Sequence, residues 1–215
     1  MKIVNQQAKV LKPDSLSGGV AMLKAIEYAG RNCYRSHDRI TDESYKSFIK
    51  SLIRRGHHSP LEFGDITVEL ITGRDVMAEI TRHRMASFAI QSQRYVLDNK
   101  EGEISFIRPL FYTNDPESPD FEASIVWRES MKRQEEDYQR MLACGKNPQD
   151  ARKVLGNSVA TVIVMKANLR EWLHVFSLRE SDAAYPEMHQ LMILLRRELQ
   201  ACVPFVFDEE ADQDG

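Results

Sequence analysis

The residues best suited to chemistry form one dense stretch, Arg82–Tyr95 (RHRMASFAIQSQRY). Three arginines and a histidine lie within thirteen residues of it: Arg82, His83, Arg84 and Arg94. A guanidinium binds a phosphate through two parallel hydrogen bonds, and each charge-assisted bond contributes roughly 1.5–3 kcal/mol. The cluster therefore suits a phosphorylated small molecule such as a nucleotide. A solvated basic turn that pairs with Glu79 or Asp75 explains the same composition.

Composition limits the classes of partner. The chain has 215 residues, 42% of them hydrophobic, which fits one domain with a substantial core. Its net charge is -3, whereas a general nucleic-acid binder carries a clear positive excess. We therefore expect the basic cluster to meet a small anion and expect no nucleic-acid partner.

Cysteine usage and hydropathy indicate a cytoplasmic protein that does not bind membranes. The three cysteines, an odd number without a CxxC pair, argue against a disulfide framework and favour a reducing compartment. No stretch approaches the ~18 apolar residues of a membrane span, and the N-terminus lacks the apolar run of a signal peptide. Five of the last eight residues, 208–215, are acidic, so we predict a disordered tail after a single domain over 1–207.

Hydrophobic periodicity predicts an α+β fold that positions these groups. Helices are expected over residues 20–29, 74–83 and 120–143, and between Thr41 and Gly56. Three more helices are expected to begin at Asn147, Asn168 and Pro186. Strands are expected over 65–71, 104–107 and 158–165, and Arg82–Tyr95 is left as a polar connection. The order lacks βαβ alternation and a Gly-rich phosphate loop, so a dinucleotide-binding Rossmann unit is not expected.

The helix that begins at Asn168 carries a further arginine of interest. Its predicted apolar stripe consists of Leu169, Trp172, Leu173 and Phe176. Arg179 lies three residues beyond Phe176, at the edge of that stripe, and the residue at i−4 is Val175 rather than a carboxylate. Arg179 therefore needs an anionic partner from elsewhere, or it is a cation that stabilises the helix C-terminus by roughly 0.3–1 kcal/mol.

Three sequence blocks together resemble one known family. Arg-His-Arg, followed after seven residues by Ser-X-Arg, is similar to the signature of the flavin-dependent thymidylate synthases. Upstream, residues 56–63 (GHHSPLEF) resemble that family's Gly-His-x-Ser/Thr-Pro-x-Glu segment. Downstream, Ala151-Arg152, Asn168-x-Arg170 and Leu178-Arg179 match its C-terminal half in type and spacing. The matched blocks span residues 56–187.

The resemblance implies a mixed sheet with packed helices and a homotetramer whose active sites are shared between subunits. It also implies that the enzyme binds FAD, NADPH, 5,10-methylenetetrahydrofolate and dUMP. In this family NADPH reduces the flavin, the folate supplies a one-carbon unit, and reduced flavin supplies the hydride that completes the methyl group. The family is proposed to need no enzyme nucleophile, and no cysteine here has the Pro-Cys-His setting of the other thymidylate synthases.

The resemblance also implies a role for each matching residue. The FAD contacts would be Ser59, Arg82, His83, Arg84, Asn168 and Arg170, with His174 at a position where Asn is common. The dUMP contacts would be Glu79, Arg82, Ser92, Gln93, Arg94, Arg152 and Arg179. Arg179 corresponds to the arginine thought to sit against the uracil edge, where a fixed guanidinium stabilises negative charge that develops on the ring.

Several departures from the family pattern leave alternatives open. Ile90 replaces a Glu or Gln, and Glu79 replaces a Gln, so a related C5-methylase of UMP or another uracil nucleotide is the second hypothesis. A non-catalytic nucleotide- or RNA-binding protein is the third, and the negative net charge disfavours it. His57, His58 and His174 lack carboxylate or cysteine partners at metal-ligand spacing, so no metal site is predicted.

Overall fold

The computed structural model describes residues 1–93, 103–181 and 183–208 and confirms the α+β class. Within these ranges six strands occur, in the order β1 (Lys2–Val4), β2 (Gln7–Lys12), β3 (Asp65–Gly73), β4 (Ala86–Ile90), β5 (Ser105–Ile107) and β6 (Ala160–Asn168). Seven helices are described among these residues: α1 (Leu16–Asn32), α2 (Ser44–Arg54), α3 (Arg74–Ile80), α4 (Phe121–Ala143), α5 (Pro148–Ala151), α6 (Leu169–Arg179) and α7 (Pro186–Cys202).

The strands form a two-stranded and a four-stranded sheet. β1 and β5 pair in parallel, with Lys2 opposite Ser105, and the larger sheet has the order β2-β3-β6-β4. Along β3 the residues Ile66, Val68 and Leu70 are buried and alternate with partly exposed neighbours, as the sequence predicted. This alternation indicates a strand with one face in the core.

The chain divides into two compact units. Unit 1 comprises Met1–Gln7, Leu70–Arg82 and Ala89–Ile163, and unit 2 comprises Ala8–Glu69, His83–Phe88 and Val164–Gly215. Strands β3, β4 and β6 each begin in one unit and end in the other. The expected single domain over 1–207 stays a prediction, and residues 209–215 of the acidic tail lie outside the described part of the chain.

Unit 1 has a core beneath α4. Its buried members come from α4, α5, β5 and the residues directly before β5 and β6: Ile104, Phe106, Met131, Tyr138, Ala151 and Val159. Asn147 caps α5, since its side-chain oxygen accepts a hydrogen bond from the backbone N–H of Asp150 at 3.1 Å. The cap therefore fixes the start of α5, which ends directly before the candidate residue Arg152.

Unit 2 depends on close helix contacts, and one of them corrects a predicted boundary. α1 packs against α2 and α7. Gly30 does not end α1, which continues to Asn32. A Cβ at position 30 would lie 2.8 Å from ring carbons of Phe48, so the close contact with that ring requires glycine there. The glycine therefore serves close packing rather than helix termination. α2 begins at Ser44 instead of directly after Thr41, whose backbone N–H donates to the Ser44 hydroxyl.

Two further differences concern strands. The segment left as a polar connection contains strand β4, which lies at an edge of the four-stranded sheet beside β6. β1 and β2 were not predicted, since short strands become recognisable only through their partners. Among the described residues, no helix is long and apolar enough to cross a membrane.

Candidate functional site

Helix α6 is the element that organises the site in unit 2. As predicted, Asn168 caps it, and the Asn168 side-chain oxygen accepts from the backbone N–H of Glu171 at 2.9 Å. The indole N–H of Trp172 donates to the carbonyl of Ile66 at 3.1 Å, which fastens α6 to β3. Its fully buried positions are Leu169, Trp172, Val175 and Phe176. Leu173, predicted in the stripe, is only half-buried, because the buried face lies slightly further round the helix.

His83 is buried against α6, with 6% of its surface exposed. Its Nε2 accepts a hydrogen bond from Nε of Arg179 at 3.0 Å, and its Nδ1 lies 3.4 Å from Oε1 of Glu171. The rings of His83 and His174 meet edge to face, with centroids 6.0 Å apart. We call these four residues, His83, Glu171, His174 and Arg179, the His83 cluster.

The charge state of His83 follows from this environment. Burial lowers the pKa of His83, and the positive charge of Arg179 lowers it further, while Glu171 acts in the opposite direction. The imidazole is therefore neutral near pH 7. Because Arg179 can only donate, the Nε2 lone pair faces it and the ring proton lies on Nδ1, towards Glu171.

The remaining flavin-assigned residues of unit 2 lie at or near the surface. Ser59 is exposed at the start of a 3-10 helix, Ser59–Phe63, that packs against α6. Arg84 and His174 are exposed. Arg170 donates from Nη1 to Oε1 of Glu62 at 2.6 Å, and about half of each of these two side chains is exposed. Two exposed guanidinium groups, a hydroxyl and an amide suit the phosphates and polar edge of a flavin nucleotide.

Unit 1 carries the residues assigned to dUMP, apart from Arg179. Glu79 lies half-buried on α3, and Arg82 is exposed in the turn after it, where its backbone N–H donates to the Glu79 carbonyl. Ser92 and Gln93 follow β4 and are half-buried. Arg152 begins a 3-10 helix, and its Nε donates to the carbonyl of Gln149 at 3.3 Å. The boundary between the units falls between Arg82 and His83, and Arg94 lies outside the described residues.

Contacts of Arg74, which the sequence did not single out, and of Gln91 hold the segment before Ser92. The carbonyl of Gln91 accepts from Nη2 of Arg74 at 3.4 Å. The backbone N–H of Gln91 donates to the Val162 carbonyl at 2.8 Å, and its side-chain oxygen accepts from the Val162 N–H at 3.2 Å. Because the Gln91 side chain binds the backbone of β6, it does not take the place of the Glu or Gln that the family has at the position of Ile90.

Glu171 was also missed. In the sequence it is one of several acidic residues near a helix N-terminus, where a carboxylate is generally favourable. No local signal distinguishes that role from contact with a distant histidine. Within the described ranges, no group of three or more His, Cys, Asp or Glu side chains could hold a metal ion.

The chain is similar to known proteins over most of its length. A family model described as "Thymidylate synthase complementing protein" matches residues 20–205. A flavin-dependent thymidylate synthase of Halobacterium salinarum is 34% identical over 170 residues, which cover 70% of this chain and 69% of that protein. Another, from Mycolicibacterium vanbaalenii, is 32% identical over 206 residues, covering 89% and 80%.

A solved structure shares the fold. It is a UMP/dUMP methylase from Streptomyces cacaoi bound with 5-Br dUMP, with a TM-score of 0.76 and 22% identity, and the match covers 98% of this chain and 96% of that one. The α+β fold and the sequence matches define a flavin-dependent enzyme of the methyltransferase type. Within that class, the chain belongs to the thymidylate synthase complementing protein family, the flavin-dependent thymidylate synthases.

Proposed function

We propose that this enzyme converts dUMP to dTMP, with 5,10-methylenetetrahydrofolate as carbon donor, NADPH as reductant and FAD as the bound cofactor. The observation that carries the proposal is the state of Arg179, which is half-buried and contacts a neutral imidazole at 3.0 Å. This contact orients the guanidinium, and a fixed guanidinium stabilises the negative charge that develops on an electron-rich pyrimidine.

The flavin would be held by residues of unit 2, with Arg82 at its boundary. Reduced FAD supplies the hydride that completes the methyl group. Arg84 and Arg170 would bind its phosphates, and Ser59, Asn168 and His174 its polar groups. The Arg170–Glu62 pair is about half exposed, so releasing it costs only about 0.2–1 kcal/mol. His83, which is 6% exposed, would be the buried member of these flavin-binding residues.

The nucleotide would be bound chiefly by residues of unit 1. Arg82, Arg94 and Arg152 supply cations for the phosphate, while Ser92 and Gln93 supply donors and acceptors for the sugar or base. Glu79 is an acceptor, and its charge must be offset by a nearby cation. Arg179 would contact the uracil edge and stabilise the negative charge that develops there as C5 becomes nucleophilic.

No cysteine is needed as a nucleophile in this proposal. Cys202 is buried, and burial raises the pKa of its thiol, which disfavours the reactive thiolate. Cys33 and Cys144 are exposed. A Cys33→Ser/Cys144→Ser double variant should therefore keep its dUMP methylation rate, and a loss of activity in that variant with FAD still bound would show that a thiol participates.

We also propose a homotetramer, as the family resemblance implies, with sites completed by residues of more than one subunit. Light scattering of the FAD-loaded protein should give four times the chain mass of 24.8 kDa. A fully active monomer would contradict this part of the proposal.

The substrate is tested by tritium release from the 5-position of dUMP and of UMP, measured side by side. Release from dUMP should require FAD, NADPH and the folate together, and should exceed release from UMP. Faster release from UMP would favour the second candidate, a UMP methylase, because the solved structure with the shared fold is that of a UMP/dUMP methylase. No release from either nucleotide by the FAD-loaded protein would overturn the proposal.

A further inference from the structure

We propose that His83 and Glu171 are positioning residues for Arg179, a role that rests on the proposed contact between Arg179 and the uracil ring. Glu171 holds the imidazole proton on Nδ1, Nε2 then accepts from Arg179 Nε, and this bond fixes the plane of the guanidinium. In this series of contacts, Oε1 of Glu171 lies 3.4 Å from Nδ1 of His83, and Nε2 of His83 lies 3.0 Å from Nε of Arg179.

The direction of the Arg179 bond determines the tautomer. A guanidinium stays charged and has no acceptor, so the 3.0 Å contact requires a lone pair on Nε2 of His83. The ring of a neutral histidine then carries its proton on Nδ1. Glu171 is the group placed to receive that proton, at a distance that makes it a weak hydrogen bond reinforced by charge.

The helix geometry makes the imidazole a bridge. Glu171 and Arg179 are eight residues apart on α6, which separates their Cα atoms by about 12 Å along the axis and about 80° around it. Helical side chains lean towards the N-terminus, so Arg179 reaches back along α6 towards Glu171. His83 enters between the two side chains and contacts both, which joins the carboxylate and the guanidinium in one fixed arrangement.

Protonation of His83 would disrupt the arrangement. The charged and titratable groups that face His83 within the described residues are Glu171, His174 and Arg179, all on α6. A doubly protonated imidazole donates from both nitrogens, so Nε2–H would oppose the Nε–H of Arg179 and place two cations together. The orientation of Arg179 therefore requires a neutral His83.

The tautomer can be observed directly in the FAD-loaded enzyme. Nitrogen-15 NMR of imidazole-labelled protein should show one histidine with a protonated Nδ1 and a bare Nε2 that stays neutral when the pH falls below about 6.5. The His83→Gln variant identifies that signal among the six histidines. A His83 that is protonated on Nε2, or doubly protonated at pH 7, would overturn the inference.

Two substitutions of Glu171 separate positioning from simple stability. Glu171→Gln keeps an acceptor but removes the charge that raises the pKa of His83, so methylation should keep most of its plateau rate. The acid limb of its pH–rate profile should move to lower pH. Glu171→Ala removes the acceptor, and kcat should fall at least about tenfold while FAD stays bound. An unchanged tautomer and kcat in Glu171→Ala would contradict the positioning role.

Glu180→Gln provides the matched control. Glu180 follows α6 directly, its side chain is similarly buried, and it pairs with Arg196 rather than with His83. The control should lower thermal stability without changing the His83 signal or the position of the acid limb. A shift of the acid limb in Glu180→Gln as large as that in Glu171→Gln would contradict the inference. The absence of tritium release from dUMP and UMP by the unsubstituted FAD-loaded enzyme would instead contradict the proposed function, so the two failures are distinguishable.

Discussion

The candidate residues of the two units are held in different ways. In unit 2 the functional groups contact one another through side chains: Arg179 with His83, His83 with Glu171, and Arg170 with Glu62. In unit 1, by contrast, Arg152 donates from Nε to a backbone group, the Gln149 carbonyl. The Arg74 guanidinium likewise holds the Gln91 carbonyl just before Ser92.

This difference determines what a substitution should change. A side-chain network couples the orientation of one group to the charge and tautomer of the next, so a change there alters transition-state stabilisation and its pH dependence. A backbone contact fixes the position of a segment without coupling charges, so a change there mainly alters ground-state binding. We therefore expect unit 2 substitutions to affect kcat and unit 1 substitutions to affect KM.

Arg179→Lys gives the largest expected effect. Lysine keeps the charge but lacks the planar fork and the Nε donor, so the bond to His83 and the contact with the pyrimidine should both fail. The variant should fold, stay yellow and be reducible by NADPH, yet lose at least about tenfold in kcat for tritium release.

Arg140→Lys is the matched control, because Arg140 is an exposed α4 residue that pairs with Asp137. It should leave kcat unchanged. Near-normal methylation by Arg179→Lys would show that Arg179 is only a structural cation at the end of α6.

Arg152→Lys tests the unit 1 side of the comparison. Loss of a bidentate phosphate contact should raise KM for dUMP by up to about tenfold, while kcat stays close to that of the parent enzyme. Steady-state kinetics over a range of dUMP concentrations measure both constants. A fall in kcat with unchanged KM would mean that Arg152 acts in the chemical step, and the proposed division between the units would fail.

The pH dependence of stability tests the neutral histidine. Because the folded-state pKa of His83 is lowered, the unfolded chain takes up the proton first as pH falls. The free energy of unfolding should therefore decline below about pH 6.5, by at most about 1.4 kcal/mol per pH unit, and level off below the folded pKa. Urea unfolding between pH 5 and 8 measures the slope.

His83→Gln should flatten that slope, and His57→Gln should not, because His57 is exposed. An unchanged slope in His83→Gln would indicate that His83 titrates normally in the folded protein.

The smallest effect concerns two helix caps of the same geometry, Asn168 in unit 2 and Asn147 in unit 1. Alanine at either position should cost about 1 kcal/mol of stability. Only Asn168→Ala should also weaken FAD binding, as measured by flavin fluorescence titration. Asn168→Asp keeps the cap and removes the amide donor, so it should retain stability and still bind FAD less tightly. Normal FAD affinity in Asn168→Asp would make Asn168 a cap alone.

Local patterns in the sequence predicted much of the scaffold. The alternation of β3, the Asn168 cap of α6 and the proline that begins α7 are all present where expected. These features depend on residues within a few positions of one another, so periodicity and capping chemistry are sufficient to recognise them. The motif blocks also indicated the family, which the family match over residues 20–205 confirms.

Local patterns failed where a partner distant in sequence decides the structure. β1 has three residues and is a strand because it pairs with β5, about a hundred positions later. Gly30 resembles a helix stop, but the Phe48 ring of the next helix requires a glycine inside α1. β4 resembles a polar connection until β6 provides its hydrogen-bonding edge.

The sequence alone determined the family, the helices that carry the site and the identity of most candidate residues, because motif spacing and periodicity are local properties. The tertiary structure decided the chemical state of those residues. His83 lies 96 positions from Arg179, and only packing against α6 makes it buried, neutral and bound to that guanidinium. The pKa of a group depends on the charges that surround it in space and on its burial, and the spacing of residues along the chain specifies neither of these.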